Sequence, residues 1–399
     1  REFAGFGASG RNGGWLSDRF AGSRERMARS HGRDAVLELQ RALQATIDEV
    51  IEVCADEQID ADLIKPGRLL VARSAAQHAR LRRHLAQERA WAQTTEDSVE
   101  LDAAELSERI HVSGARAALY SRHCARIQPA KLVTGLARRV ERLGVTIYED
   151  TTVTNIEPGR VRTDHGTIRA ATVLRCLEGF TAGLEGARRD LLPLNSAMIV
   201  TDPLPAERWA EIGWDGAELL GDHAHAYMYA QRTADGRIAL GGRGVPYRFA
   251  SRTDRWGQTQ EATIRQLASI LRAMFPATAD VAIDHAWCGV LGVPRDWTPI
   301  VVFDPRTGIG SAGGYVGSGV ATSNLAARVL VDLVLGADSP LTRLPWVHDR
   351  ARRWEPEPLR YLGARLIYRL YRAADRREGE SDSDTTHPLA RVADLIAGR

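Results

Sequence analysis

Residues 7–15 read Gly7-Ala8-Ser9-Gly10-Arg11-Asn12-Gly13-Gly14-Trp15, and the fold turns on how this stretch is read. Four of the first eight residues are glycine, and a backbone without Cβ atoms can run close against a ligand. Ser9, Arg11 and Asn12 add a hydroxyl, a cation and an amide, a donor set suited to phosphate or a polar ring edge. An ordinary glycine-rich loop has the same composition, so the reading needs support from the rest of the chain.

Immediately downstream, residues 34–54 carry Val36, Leu39, Leu43, Ile47, Val50 and Cys54 near a 3.6-residue period, which predicts an amphipathic helix. Residues 67–73 read as a short strand, and Ser74 with Gln77 caps a second helix. Pro129 opens a third helix and Gly144 closes it, with Leu132, Val133, Leu136, Val140 and Leu143 expected on its buried face. Strands are expected at 145–148 and 152–156, then a hairpin (160–163, 167–169) turning at Asp164-His165-Gly166, then a strand at 171–176. That order matches the later half of a doubly wound dinucleotide-binding domain. From Asn195 to Trp287 the texture becomes β-rich, with strands at 198–201, 226–231 and 237–242, a helix at 258–274 and a strand at 281–287. Asp235-Gly236 marks a tight turn there. Strand 300–303 and a helix at 320–335 ending at Gly336 follow, and the charged run 375–387 predicts a disordered tail.

The second glycine string lies near the other end. Residues 308–313 contain GxGxxG, but the preceding strand stops near Phe303 and the helix starts too late for a dinucleotide fingerprint. Residues 313–319 (GGYVGSG) instead read as a strand-to-helix turn whose free N–H groups would face an electron-rich atom. Trp287, Trp297, Tyr227 and Tyr229 could wall an apolar pocket. His223 and His225 form an HxH without a third ligand at metal spacing, so no metal is expected.

The 399 residues, 44% apolar, allow two or three domains. Fifty-three basic against 51 acidic residues leave a net charge of +2, which gives no electrostatic pull towards nucleic acid or membrane. Four scattered cysteines, no apolar leader and no apolar run long enough for a span predict a soluble, cytoplasmic protein.

The strings GASGRNGGW and GGYVGSGVA (residues 313–321), about 300 residues apart, resemble the D-amino-acid-oxidase-like superfamily of FAD-dependent oxidoreductases, in its gamma-glutamylputrescine oxidoreductase-like branch. Residues 129–153, 241–247 (GGRGVPY) and 292–299 (GVPRDWTP) resemble its intervening segments. The resemblance implies an α/β fold with an α+β substrate part: an incomplete Rossmann-like FAD-binding domain with an inserted β-rich substrate domain. Its boundaries would be 1–194 for the FAD domain with a helical insert at about 33–128, then 195–290 for the substrate domain and 291–340 for the return. A helical extension at 341–374 and a tail with a short helix at 375–399 would complete the chain.

By the same resemblance, Ser9, Gly10, Arg11, Asn12, Gly13 and Gly14 would lie beside the FAD pyrophosphate and flavin. Val153 would meet the adenine end, Glu178 and Gly179 would form a turn at the cofactor, and Gly314, Tyr315, Gly317, Ser318, Gly319 and Val320 would cover the flavin pyrimidine. Trp15, Tyr227, Tyr229 and Tyr315 are the expected substrate wall, with Arg243 as a carboxylate anchor. The implied reaction is hydride transfer from an amine or amino acid to flavin, imine hydrolysis, and reoxidation by oxygen to hydrogen peroxide. Lys65 and Lys131 match no oxygen-activating lysine, which leaves a dehydrogenase with another acceptor open. The family's opening strand, GxGxxG and helix have no counterpart here, so about 50–60 residues are expected to be missing and FAD binding to be weak. A non-catalytic remnant acting through partner binding is the alternative.

Overall fold

The computed structural model describes residues 2–242, 247–347 and 352–398. Helix α1 (Arg33–Asp56) buries the expected stripe from Val36 to Cys54. Strand β1 (Arg68–Ala72) follows, then α2 (Ala75–Ala90), where the Ser74 hydroxyl accepts the Gln77 N–H. The Gln77 side chain accepts from the Arg73 N–H rather than closing a box on Ser74. Strands β2 (Ser98–Asp102) and β3 (Ala117–Ser121) precede α3 (Pro129–Arg142), which opens on Pro129 as expected.

Two expectations fail around α3. Its apolar face is only partly covered: Leu132 packs against the cluster of Leu16, Ile47 and Val50, but none of its residues is fully buried, and Leu136 and Leu143 are 46% and 64% exposed. Residues 145–148 form no strand, because no neighbouring backbone among the described residues pairs with them, and Val145 and Tyr148 are exposed. The hairpin beyond does form, Arg160–Thr163 against Gly166–Arg169, with Val153–Glu157 completing a three-stranded sheet. A second small sheet joins Ile300–Asp304, Ile309–Gly313 and Val173–Arg175.

The main sheet has eight strands. To β1, β2 and β3 are added β4 (Leu192–Thr201), β5 (Leu219–Asp222), β6 (Met228–Arg232), β7 (Ile238–Gly242) and β8 (Ile283–Val293). Their order is β8-β4-β7-β6-β5-β1-β3-β2, antiparallel except where β5 runs parallel to β1, Leu219 opposite Arg68. The 33–128 stretch, expected as a helical insert, therefore supplies three strands to the sheet of the β-rich segment. Five-residue runs such as Ser-Val-Glu-Leu-Asp are too short for periodicity to separate strand from helix. One core cluster of this sheet joins Leu69, Val71, Trp209, Trp214, Leu271 and Phe275.

Helix α4 (Gly319–Leu335) ends at Gly336 in the left-handed region (φ 67°), as read from sequence, and packs through Leu325 and Val329 in one cluster with Leu39 and Leu43 of α1. The run 375–387, expected as a disordered tail, is helical over its first six residues and has no helix or strand over 381–387. Residues 375–380 are the last turns of α5 (Leu359–Glu380), and α6 (Pro388–Ala397) packs back on it through Ala390 and Ala393. Two of the charges that suggested disorder serve as internal partners: Glu378 pairs with Arg80, and the Asp375 carboxylate accepts the N–H groups of His225 and Ala226, 2.8 and 2.9 Å. Among the described residues no helix is long and apolar enough to cross a membrane.

Candidate functional site

A cavity of about 1850 Å³ runs between the segment at 7–26, the start of α4 and the central strands of the main sheet. Of the residues singled out in the glycine strings, Ser9, Arg11, Asn12, Gly13, Gly317, Ser318, Gly319 and Val320 line it. Val153, Glu178, Gly179 and Tyr315 also reach it, as do Trp15, Tyr227 and Tyr229 of the expected substrate wall. Gly10, Gly14 and Gly314 stand behind the lining, and Trp297 is on it. Trp287 is not, since its indole N–H donates to the Arg11 carbonyl at 3.1 Å. Arg243 lies outside the described residues.

The first glycine string owes its glycines to the protein's own packing. A Cβ on Gly10 would sit 2.2 Å from the Gly5 carbonyl oxygen, and one on Gly13 would sit 2.7 Å from the Tyr229 ring. Gly14 has φ +72° and would meet Gln231 Nε2 at 2.1 Å. Packing within the protein is by itself enough to require glycine at these three positions. Asn12 is committed too: its Oδ1 accepts the Gly14 N–H at 2.8 Å and its Nδ2 donates to Ala8 and Ser9 carbonyls. The Arg11 guanidinium lies over Phe6 at 4.3 Å, and burial lowers its pKa.

Gly317, at φ +89°, leads into α4, which no side chain caps. The first N–H groups of that helix, at Gly319 and Val320, belong to residues on the cavity wall and carry the positive end of its dipole. One turn on, Asn324 Oδ1 is buried without a protein partner; so are Trp15 Nε1 and His223 Nε2, and all three residues line the cavity. Buried polar atoms are normally paired, and the cavity gives each of these three room for a partner from a bound ligand.

Glu178 was expected in a cofactor turn, but its carboxylate is used within the protein. With φ 46°, it accepts N–H groups of Gly292, Gly314 and Tyr315 at 3.0, 2.6 and 3.3 Å. Burial pushes this carboxyl up to about 7, against the three N–H donors that pull it down. It ties β8 to the turn before α4. Burial also raises Tyr315 well above its ordinary value, which keeps the phenol neutral. Tyr229 shares a hydrogen bond with Ser196 (2.8 Å) and packs edge-on to Trp15, while the Arg19 guanidinium sits 5.0 Å over Tyr227.

The far end of the cavity is polar, and apart from the HxH of His223 and His225 no sequence spacing points to it. Asp18–Arg68 (3.1 Å), Arg24–Glu88 (2.9 Å) and Arg80–Glu378 (2.7 Å) are nearly buried pairs around it. Burial would raise Glu88, but hydrogen bonds from His84 and Arg24 bring it down to about 2. Burial lifts Asp222 to about 7 and lowers His223 to about 3. His225 does gain acidic neighbours, Asp375 and Glu378, all within 4.8 Å. The cation among them is Arg80, 3.0 Å from His225 Nε2.

The walls fit a dinucleotide. An uncapped helix start and unpartnered polar atoms share one cavity, whose volume exceeds the roughly 300–1,000 Å³ of a drug-sized site.

Residues 1–333 match the DAO family, described as FAD dependent oxidoreductase. The chain is 28% identical over 345 residues to a probable oxidoreductase, OrdL, of Rhizobium meliloti, covering 85% of this chain and 77% of that protein. It is 29% identical over 339 residues to gamma-glutamylputrescine oxidoreductase of Escherichia coli, covering 83% and 76%. Among solved structures, glycine oxidase from Geobacillus kaustophilus superposes with TM-score 0.69 at 19% identity, covering 86% of this chain and 89% of that one. Iminodiacetate oxidase from Chelativorans sp. BNC1 gives 0.64 at 17% identity, covering 85% and 89%. With its first 333 residues matched and its mixed α/β fold shared with these flavoenzymes, the chain belongs to the DAO family of FAD-dependent oxidoreductases.

Proposed function

We propose that the cavity holds FAD and that the chain oxidises the carbon–nitrogen bond of an amine or amino acid. The observation that carries this reading is the opening of the uncapped α4 start onto the same cavity as the Trp15, Tyr227 and Tyr229 wall. Bound FAD would supply the two-electron acceptor, with oxygen, reduced to hydrogen peroxide, as the final acceptor. Gly319 and Val320 N–H groups would hold the negative charge of a reduced ring, stabilised by the helix dipole. Residues 9–13 would lie along the dinucleotide, and Val153 would meet its adenine end. Trp15 and Tyr229 would present ring faces to an apolar or cationic amine, with neutral Tyr315 closing the wall. The names of the relatives support the substrate class, since gamma-glutamylputrescine, glycine and iminodiacetate all carry an amine.

A second reading replaces oxygen by another electron acceptor. It is favoured by the two lysines: Lys65 pairs with Asp48 and Lys131 with Asp62, and neither lines the cavity. The experiment titrates the chain with FAD, follows absorbance near 450 nm, and then screens amines with peroxide detection beside an artificial electron acceptor. Bound flavin with amine-dependent peroxide supports the oxidase, and turnover with the artificial acceptor alone supports the dehydrogenase. Absence of both flavin binding and turnover refutes both and favours a non-catalytic remnant.

A further inference from the structure

A net charge of +2 conceals a strong local segregation on α5. From Leu359 to Glu380 it has six arginines and three acids, all three of them near its C-terminal end. Asp375 is turned inward, where it accepts the N–H groups of His225 and Ala226, Glu378 is buried against Arg80, and Glu380 is exposed. Arg365, Arg369, Arg376 and Arg377 are exposed. Interleaved with them, Leu359, Leu362 and Leu366 lie one helical stripe apart (i, i+3, i+7) and are 62%, 58% and 46% exposed. A helix of a folded protein normally covers such a stripe, and nothing among the described residues covers this one. The stripe continues beyond the helix: Phe249, half exposed, packs edge-on at 5.5 Å against Tyr361, whose hydroxyl takes a hydrogen bond from Arg365. The loop that carries Phe249 also supplies Ser251, Thr253 and Trp256 to the cavity wall.

We infer that this face of α5, with Phe249, docks on an anionic lipid surface. The charge pattern selects the occupant. Leucines at this spacing would enter the acyl boundary while exposed guanidiniums meet headgroup phosphates, so one surface satisfies both components. A second copy of the chain would bring the rows of arginine around the leucines together, with Glu380 at the far end of the helix the one exposed acid on it. The helix lies flat on such a surface and does not cross it, since its arginines exclude it from the acyl core. Docked in this way, the loop at the cavity would face the lipid.

The test is sedimentation of the full chain with vesicles of phosphatidylcholine alone or with about three parts in ten phosphatidylglycerol. Retention on the anionic vesicles, little on the neutral ones, and release at about 0.5 M salt are expected. The paired variants Leu362→Glu/Leu366→Glu and Arg365→Glu/Arg369→Glu should each lower retention about tenfold or more. Both pairs lie on the exposed stripe, and an unchanged melting temperature confirms that each variant is folded. No retention on anionic vesicles, equal retention on neutral ones, or indifference to both variants overturns the inference. A dimer in sedimentation velocity that Leu362→Glu/Leu366→Glu abolishes, without vesicle binding, assigns the stripe to a second copy. Binding to polyglutamate but not to vesicles assigns it to an acidic protein. These readouts need no turnover, so they stand or fall separately from the proposed reaction.

Discussion

Glu178 shows how one side chain can couple pH to the shape of the site. Its folded-state value of about 7 lies above the ordinary 4.5, so the folded protein favours the protonated form. The stability this contributes is complete below the unfolded value and is lost as pH rises through about 7, an effect of order 1–3 kcal/mol. Glu178→Gln keeps one acceptor oxygen and removes the titration. The fall in melting temperature between pH 5 and 8 should therefore be smaller in the variant than in the parent, as thermal melts would show. Gly14 supports a second expectation. Its φ of +72° and the 2.1 Å approach of Gln231 Nε2 leave no room for a methyl group, so Gly14→Ala should cost about 2–4 kcal/mol in denaturant titration. At this scale the sequence announced the glycines but not their reason. A GxxGG pattern looks the same whether ligand or protein crowds the backbone, and here Gly5 crowds Gly10 while Tyr229 and Gln231, more than 200 residues away, crowd Gly13 and Gly14.

Elements differ in how openly the chain declares them. Helices with local punctuation were legible: Pro129 at the start of α3, Ser74 before α2 and Gly336 after α4 all act where the sequence places them. Strands β2 and β3 were not, since their five-residue runs acquire meaning only from partners elsewhere in the sheet. The apolar face of α3 was legible as a face, but what covers such a face is not written in its own periodicity. For α4, the proposed role of its first turn can be tested one turn in. Asn324 Oδ1 has no protein partner, so Asn324→Ala should barely move the melting temperature of the FAD-free chain. It should weaken FAD affinity by about tenfold, the loss of one hydrogen bond, measured by fluorescence titration. Equal losses in both measurements would make the residue structural.

For the whole molecule, the cavity links segments at 7–26, 176–184, 221–229 and 315–324, so a ligand that fills it stabilises them together. At a hundred times its dissociation constant FAD should add about 2.7 kcal/mol and raise the melting temperature by a few degrees, with a shift that grows with concentration. Residues of both glycine strings, together with Trp15, Tyr227 and Tyr229, stand out in the sequence and line this cavity. The Arg24–Glu88 and Arg80–Glu378 pairs at its other end were not legible in sequence, because their partners lie 64 and 298 residues apart. The same long-range economy shapes the main sheet, where β5 completes the open side of β1. A ribosome delivers β1, β2 and β3 by Ser121, but Leu219 follows 98 residues later. At about 5–20 residues per second, the β1 edge waits some 5–20 s with its backbone groups unpaired. Synthesis, rather than strand pairing itself, then sets the pace at which this sheet closes, and a nascent chain needs its exposed edge kept from its neighbours until β5 arrives.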